Sequence, residues 1–234
     1  TDHKDGAATY LREFLRQYMM AERPVRTDYP SWNNVQFVAD SIAWDTDPLY
    51  GWCNKNFKKD GSPYNVYSDG LKVFTTIDSR MQKYAEEAVY QHVARYLQPA
   101  FDKENKPKPS SPYSDKLTPQ QIRNILNRSI TQSERWRTMK AAGCTPEEIK
   151  EAFRKKIEMT VFTYHGDIDT LMSPLDSIRY YKGFRRSGFM SMDPKTGAVK
   201  AYVGGLDYPH FMYDMVSLGR RQVGSTIKPF LYRL

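Results

Sequence analysis

Ser225 and Lys228 are the residues whose types and spacing most favour chemistry in this sequence, and they lie in the heptapeptide Gly-Ser-Thr-Ile-Lys-Pro-Phe at 224–230. Residues three apart at the start of a helix share a face, so a lysine amine there can take the proton of a serine hydroxyl. The amine must first be uncharged, which a desolvated cleft and the positive end of a helix dipole both favour. The pair predicts a serine nucleophile with Lys228 as its general base. By itself, however, the spacing is more typical of a capped helix with a surface lysine.

Metal and thiol chemistry have weaker support. Cys53 and Cys144 stand in unrelated segments, and the four histidines are scattered without metal-ligand spacing. We expect two free or buried thiols, although an oxidising compartment would leave a disulfide open. Asp167 and Asp169 are expected to be loop or capping acids. No cofactor and no metal site is predicted.

The composition favours a folded globular chain. It has 234 residues, of which 40% are hydrophobic and 26% charged, which is enough apolar material for a core. No run approaches the ~18–20 apolar residues of a membrane-spanning helix. Thr1 does not begin a signal or anchor segment, so any such segment is expected outside these residues. The net charge of +8 favours polyanionic partners but identifies none.

The first 98 residues are predicted to contain two helices, a hairpin and a loop-rich stretch. Apolar residues at helical spacing predict the first helix; they are Leu11, Phe14, Leu15, Tyr18 and Met19. Residues 25–63 favour loops with one short helix near 35–42, and the rest of their fold is not predicted. Asp69-Gly70 predicts a hairpin of strands 64–67 and 71–77. Asp78 should cap a long helix, whose predicted apolar face is Met81, Tyr84, Ala85, Ala88, Val89, Val93, Tyr96 and Leu97, with His92 packed beside it.

Residues 99–165 are predicted to form a proline-rich arm and a small helical insert. Five of the residues in 99–119 are prolines, which is typical of an extended linker. Thr118 and Thr145 are each followed by proline and, at the third position, by Gln121 and Glu148, which predicts two capping boxes. A short middle helix over 133–142 should end at Gly143.

The final third favours a second hairpin, formed by 188–192 and 198–203 around a turn at 193–197. A further helical pattern follows Ser225, with Ile227, Phe230, Leu231 and Leu234 on one face. That pattern runs to the last residue without a stop signal, so we expect a fragment of a longer protein. We also expect the hairpin to have an unpaired strand edge, through which the chain could associate with itself.

Ser-x-x-Lys is the nucleophile motif of penicillin-binding proteins and of related β-lactamases. The surrounding sequence resembles class A penicillin-binding proteins. Residues 189–205 resemble the hairpin that opens their transpeptidase domain, and residues 220–232 resemble the active-site segment. Residues 71–78, with the helix 82–87, resemble the strand and helix between the two catalytic domains. Residues 1–20 resemble the chain leaving the glycosyltransferase domain, whereas 99–165 match only loosely.

The resemblance implies an α+β fold in three parts. Residues 1–98 would form the interdomain linker region, 99–165 the arm and helical insert, and 166–234 the truncated start of a transpeptidase domain. The parent protein would be a bifunctional peptidoglycan synthase, anchored in the cytoplasmic membrane with these residues on the outer side. Its transpeptidase would cross-link D-Ala-D-Ala stem peptides and bind β-lactams through Ser225, with Lys228 as general base.

Two departures from the family pattern predict that these residues alone are inactive. The second and third motifs, Ser-x-Asn and Lys-Thr/Ser-Gly, would lie beyond Leu234, and the glycosyltransferase domain is missing. Residues 195–197 imitate the third motif, but they precede the serine and favour a hairpin turn.

A rival hypothesis is a non-catalytic binding module. Residues 99–160 carry thirteen basic against eight acidic side chains, and three short helices could imitate a helix-turn-helix. Because the basic residues are spread around the helices, we do not expect nucleic-acid binding. The resemblance instead implies docking, in which the insert would position the transpeptidase domain or meet a cell-wall synthesis partner.

Overall fold

Helices carry most of the secondary structure, and two antiparallel hairpins complete an α+β fold, as the sequence predicts. The structure is a computed structural model that describes residues 6–220 and 222–232. The helices are α1 (Thr9–Met19), α2 (Asn34–Thr46), α3 (Trp52–Lys55), α4 (Ser79–His92), α5 (Gln98–Asn105), α6 (Pro119–Gln132), α7 (Glu134–Ala141), α8 (Pro146–Arg154), α9 (Pro174–Gly183) and α10 (Lys228–Leu231). The strands are β1 (Ile157–Val161), β2 (Ile168–Met172), β3 (Phe189–Met192) and β4 (Val199–Val203).

Contacts along the chain define two compact units. The first contains residues 1–87 and 188–234, and the second contains residues 88–187. The functional boundaries drawn from the sequence, after residues 98 and 165, remain a prediction. No helix in the described ranges combines the length and the apolar character that crossing a bilayer requires.

In the first unit, α1 confirms the first predicted helix but buries a different set of side chains. Tyr10 and Met19 are buried, whereas Phe14, predicted on the buried face, is 40% exposed. Glu13, a charged residue outside the predicted apolar set, is only 5% exposed. Tertiary packing explains the difference. Because the ring of Tyr10 packs against the end of β4, the buried face of α1 differs from the face that carries its predicted apolar residues.

The loop-rich stretch holds more helix than the sequence indicates. The short helix near 35–42 is confirmed as α2, which extends over Asn34–Thr46, and α3 follows at Trp52–Lys55. Cys53 on α3 is 1% exposed, and burial raises the pKa of its thiol. Cys53 and Cys144 are both free thiols.

The predicted hairpin of 64–67 and 71–77 is wrong. Asp69 accepts hydrogen bonds from the Asn65 amide at 2.7 Å and from the Lys58 ammonium at 3.1 Å, so residues 65–69 close into a local turn. The extended segment after Gly70 bonds to β4 instead. Thr76 Oγ1 donates to the Val199 carbonyl at 2.7 Å, and the Asp78 amide donates to the Lys200 carbonyl at 3.0 Å.

The second predicted hairpin is confirmed. β3 pairs antiparallel with β4, with Phe189 opposite Val203 and a bulge between Ser191 and Met192. The Asp193 carboxylate accepts the Lys195 and Thr196 amides, so residues 195–197 belong to the turn.

The helix after Asp78 begins as predicted, because the Asp78 carboxylate accepts the Arg80 and Met81 amides. Its predicted apolar face is confirmed only in part: Ala85 and Val93 are buried, whereas Met81 and Tyr84 are exposed. Gln82 is buried instead: its amide donates to the Tyr202 carbonyl at 2.8 Å and accepts from the Tyr202 amide at 2.7 Å. This side chain pairs with β4 as a strand would. His92 is exposed, not packed in a core.

In the second unit, the start of the proline-rich arm is helical rather than extended. Residues 98–105 form α5, and the Gln98 side chain, 8% exposed, bonds to Asp102, Gly183 and the Arg185 amide. The Arg185 guanidinium lies 3.5 Å from the centroid of the Phe101 ring. These contacts hold α5 in place, although composition alone assigns its residues to a linker.

The helical insert is confirmed. Thr118 and Thr145 each cap a helix through a complete capping box, and α7 ends before Gly143, whose φ is +81°. The hairpin β1–β2 and helix α9 were not predicted. In that hairpin Asp169 accepts the Thr160 hydroxyl at 2.6 Å, so its carboxylate has a structural partner.

Candidate active site

The Ser225 segment folds as a tight turn that leads directly into a helix. Residues Gly224–Ile227 form one 3-10 turn, and α10 begins at Lys228 with Pro229 in its first turn. The Lys228 amide donates to the Ser225 carbonyl. Because a 3-10 helix has three residues per turn, side chains three apart eclipse each other. The structure therefore places the two predicted site residues on one face, one turn apart.

Neither side chain is yet prepared for catalysis. Ser225 and Lys228 are both exposed, and among residues 6–220 and 222–232 no hydrogen bond engages Ser225 Oγ or Lys228 Nζ. The neighbouring Thr226 hydroxyl donates to the Val223 carbonyl at 2.6 Å. Nothing described here removes water from the lysine amine or holds it against the serine hydroxyl.

The apolar face expected after Ser225 is uncovered by the described residues. Ile227 is 40% exposed, Phe230 72% and Leu231 57%. Leu234, which the sequence places on the same face, lies outside the described residues, as do Thr1–Asp5, Arg221 and Arg233. Apolar side chains at this spacing form a stripe of the kind that helices pack against other residues.

The loop that leads to Ser225 is anchored by Asp214, a residue that the sequence analysis missed. Asp214 is 7% exposed and accepts the Tyr202 hydroxyl at 2.6 Å and the Val216 amide at 2.8 Å. Burial and this carboxylate raise the pKa of Tyr202 to about 12. An aspartate that receives the amides two and three residues ahead is typical of an Asx turn, and that local spacing was the available signal.

Tyr10 fastens the same loop to α1. Its hydroxyl donates to the Phe211 carbonyl at 2.6 Å, across 201 residues of sequence. Its ring lies against Gly204 and Gly205, where an added Cβ would come within 2.6 Å of ring carbons at Gly204. The two glycines therefore allow a close approach that a side chain would block. No sequence pattern pointed to this contact.

Within the described part of the chain, no group of three or more His, Cys, Asp or Glu side chains is placed to hold a metal ion.

Comparison with known proteins connects these features to one family. A family model described as the penicillin-binding protein middle domain matches residues 108–184. Penicillin-binding protein 1A of Neisseria flavescens is 26% identical over 204 residues, which cover 75% of this chain and 24% of that protein. Penicillin-binding protein 1A of Rickettsia bellii is 27% identical over 191 residues, or 74% of this chain and 23% of that protein.

A shorter match has a higher identity: penicillin-binding protein 2D of Bacillus subtilis is 51% identical over 45 residues, which are 19% of this chain and 6% of that protein. No solved structure matches the chain significantly. The chain spans about a quarter of the length of the 1A relatives it matches.

The middle-domain match covers a third of the chain, and the 1A relatives align with about three quarters of it. These comparisons support a relationship to the class A penicillin-binding proteins.

Proposed function

We propose that this chain supplies the beginning of a serine transpeptidase domain in a peptidoglycan synthase, with Ser225 as nucleophile and Lys228 as general base. The observation that carries the proposal is the tight turn at Gly224–Ile227, which stacks these two residues one turn apart. The parent would be bifunctional, with a glycosyltransferase domain and a membrane anchor. The residues described here would then lie on the outer side of the cytoplasmic membrane.

In the proposed reaction, Ser225 Oγ attacks the carbonyl carbon of the D-Ala-D-Ala amide while Lys228 takes the hydroxyl proton. The C–N bond breaks, and the proton passes to the departing D-Ala amine. The resulting ester is attacked by an amine of a neighbouring stem peptide, whose proton returns through Lys228 to Ser225. A β-lactam would acylate the same oxygen by opening its ring amide.

The exposure of both residues supports a further proposal, that this 234-residue chain is inactive by itself. A neutral amine requires a partly desolvated surrounding, and the uncovered stripe of Ile227, Phe230 and Leu231 marks where covering residues would pack. In the parent, those covering residues would form the cleft and fix the substrate carboxylate.

Labelling with a fluorescent penicillin tests the assignment in the full-length parent. The parent should become labelled, and Ser225→Ala should abolish the label because no acyl ester can form. Lys228→Ala should slow labelling by at least a hundredfold, as expected when a general base is lost.

Ser31→Ala is the matched control, because it makes the same change at an exposed serine in the loop-rich stretch. It should label like the parent. Undiminished labelling of Ser225→Ala would overturn the assignment of the nucleophile.

A docking role for the helical insert is a second candidate. On α7 the basic side chains Arg135, Arg137 and Lys140 are all exposed, and no residue of that helix is buried. We propose that this face meets a cell-wall synthesis partner. A change in fluorescence anisotropy with stem-peptide polymer, and none with duplex DNA, would support it; the reverse result would favour nucleic acid.

A further inference from the structure

A cleft of about 620 Å³ lies beside α1 in the first unit, and neither Ser225 nor Lys228 lines it. Its volume is within the range of small-molecule and peptide sites, roughly 300–1,000 Å³. Five tyrosines contribute to its wall, namely Tyr10, Tyr18, Tyr50, Tyr208 and Tyr213. We call it the tyrosine cleft.

Two ring pairs frame the tyrosine cleft in fixed geometry. Tyr10 and Tyr208 meet edge to face, with centroids 5.0 Å apart and planes at 83°. Tyr18 and Tyr50 repeat that arrangement at 4.9 Å and 83°. The faces of such rings are electron-rich and attract a cation placed over them.

Glu13 adds a carboxylate to the same wall. Its side chain is 7% exposed, and Oε2 accepts a hydrogen bond from Arg16 Nε at 2.8 Å. No other residue in the described ranges donates a hydrogen bond to Glu13, so Oε1 is a free acceptor in a largely desolvated position. Asp40, also in the wall, accepts the Tyr29 hydroxyl at 2.8 Å.

The hydroxyl donors of the cleft are largely used within the protein. Tyr10 donates to the Phe211 carbonyl, Tyr18 to Asp47, and Tyr213 to the Leu218 carbonyl. Among its charged side chains, the wall holds the three carboxylates of Glu13, Asp40 and Asp214 against the guanidinium of Arg220.

The negative potential of the carboxylates reaches the rings of the cleft. Burial, and then the charge of Glu13, raise the pKa of Tyr208, although Arg16 opposes this effect. Burial and Asp40 raise the pKa of Tyr50. In both tyrosines burial is the largest cause of the raised pKa, and the nearby carboxylate adds to it.

We propose that the tyrosine cleft binds a primary ammonium group carried on a peptide, with Glu13 as its counter-ion and the rings of Tyr50 and Tyr208 beside it. An ammonium has three donors and no acceptor, which matches a wall rich in acceptors. The volume exceeds what a bare ammonium fills, so the group comes attached to several residues. This inference goes beyond the proposed function, because it requires no acyl transfer at Ser225.

Calorimetric titration of the 234-residue chain at low salt tests the proposal with a defined probe, the peptide acetyl-Gly-Lys-Gly-amide. The control peptide has the same length and backbone, but its lysine amine is acetylated and therefore uncharged. The free amine should bind and the acetylated peptide should not. Equal binding of the two peptides, or binding of an N-acetylglucosamine tetramer without binding of the lysine peptide, would overturn the proposal.

Three variants separate ligand binding from a structural role of the Glu13–Arg16 pair. Glu13→Gln should weaken peptide binding about tenfold, because a charge-assisted hydrogen bond is lost. Arg16→Gln breaks the same ion pair but frees the carboxylate, so binding should be retained or tightened. Glu22→Gln, an exposed change outside the cleft, should leave the affinity unchanged. Equal weakening by Glu13→Gln and Arg16→Gln would show that the pair only supports the fold.

Tyr208→Leu provides an independent variant if Glu13→Gln fails to fold. It removes one ring of the cleft and keeps the carboxylate, so it should also weaken binding severalfold. Unchanged affinity in a folded Tyr208→Leu protein would refute the placement of the ammonium beside this ring.

Discussion

Gly205→Ala should destabilise the first unit through one steric contact. A Cβ at Gly205 would overlap the hydroxyl of Tyr10 and lie 2.7 Å from Tyr10 Cζ. The ring has little freedom to move away, because Tyr10 is 7% exposed and its hydroxyl donates to the Phe211 carbonyl at 2.6 Å. Since Gly205 does not have a positive φ, the expected effect is steric and not a matter of backbone strain.

The expected change in the free energy of unfolding combines two destabilising effects and one stabilising effect. Overpacking a filled site costs typically 1–3 kcal/mol. Displacing the Tyr10 hydroxyl from its buried acceptor adds about 1 kcal/mol. Replacing glycine restricts the unfolded chain and returns roughly 0.4–1 kcal/mol. We therefore expect a loss of about 2 kcal/mol, which for a chain of this size lowers the Tm by roughly 4–8 °C.

Calorimetric unfolding of the purified chain measures this effect, and Gly183→Ala is the matched control. Gly183 ends α9, has no positive φ, and an added Cβ there meets no atom within 4 Å. That variant should be neutral or slightly stabilising.

The contact itself is tested by combining Gly205→Ala with Tyr10→Leu. Leucine ends before the positions of Cζ and the hydroxyl, so Gly205→Ala should cost much less in that background. A Gly205→Ala protein within about 0.5 kcal/mol of the parent would refute the reasoning. The reasoning would also be refuted if Gly205→Ala lowered the free energy of unfolding equally with Tyr10 and with Leu at position 10.

Four further predictions follow from the described geometry. Thr145→Ala should cost about 1 kcal/mol by removing a capping box, whereas Thr138→Ala inside α7 should be neutral in urea unfolding. Backbone hydrogen bonds, first from Met81, lower the pKa of the Asp78 carboxyl. Asp78 therefore stabilises the folded state above pH 3.8, its ordinary pKa, and this stabilisation is lost as the pH falls through the lowered pKa. Asp78→Asn should flatten that acid limb of the stability curve. Intact-mass analysis should find no penicilloyl adduct at the exposed Ser225 of this 234-residue chain, and acylation near the parent's rate would contradict its proposed inactivity. Sedimentation at rising concentration should show association through the β3 edge, and Met190→Lys should suppress it; a monomer at all concentrations would disprove that interface.

Features that depend on neighbouring residues were predictable from the sequence. The capping boxes at Thr118 and Thr145 join residues three apart, so the pattern contains all of the atoms involved. The turn after Asp193 and the pairing of β3 with β4 are likewise local. The Ser225–Lys228 juxtaposition belongs to the same class, because a single helical turn creates it.

The failed hairpin at 64–77 shows where local patterns become ambiguous. Asp69-Gly70 fits a hairpin turn, but the Asp69 carboxylate instead bonds to Asn65 and Lys58. The segment that follows bonds to β4 at Val199, more than a hundred residues later. A pattern can indicate that a segment is extended, but it does not contain the identity of a distant partner.

The sequence by itself determined the helices with complete caps, the β3–β4 hairpin, the Ser225–Lys228 spacing and the family resemblance. Only the tertiary structure decided which side chains are buried: Tyr10 reaches Phe211, Gln82 pairs with Tyr202, and Glu13 lies in the wall of a cleft. The physical reason is the separation along the sequence of the atoms that interact. Hydrogen bonds within a turn are specified by adjacent residues, whereas burial and close approach depend on atoms that the chain brings together only when it folds.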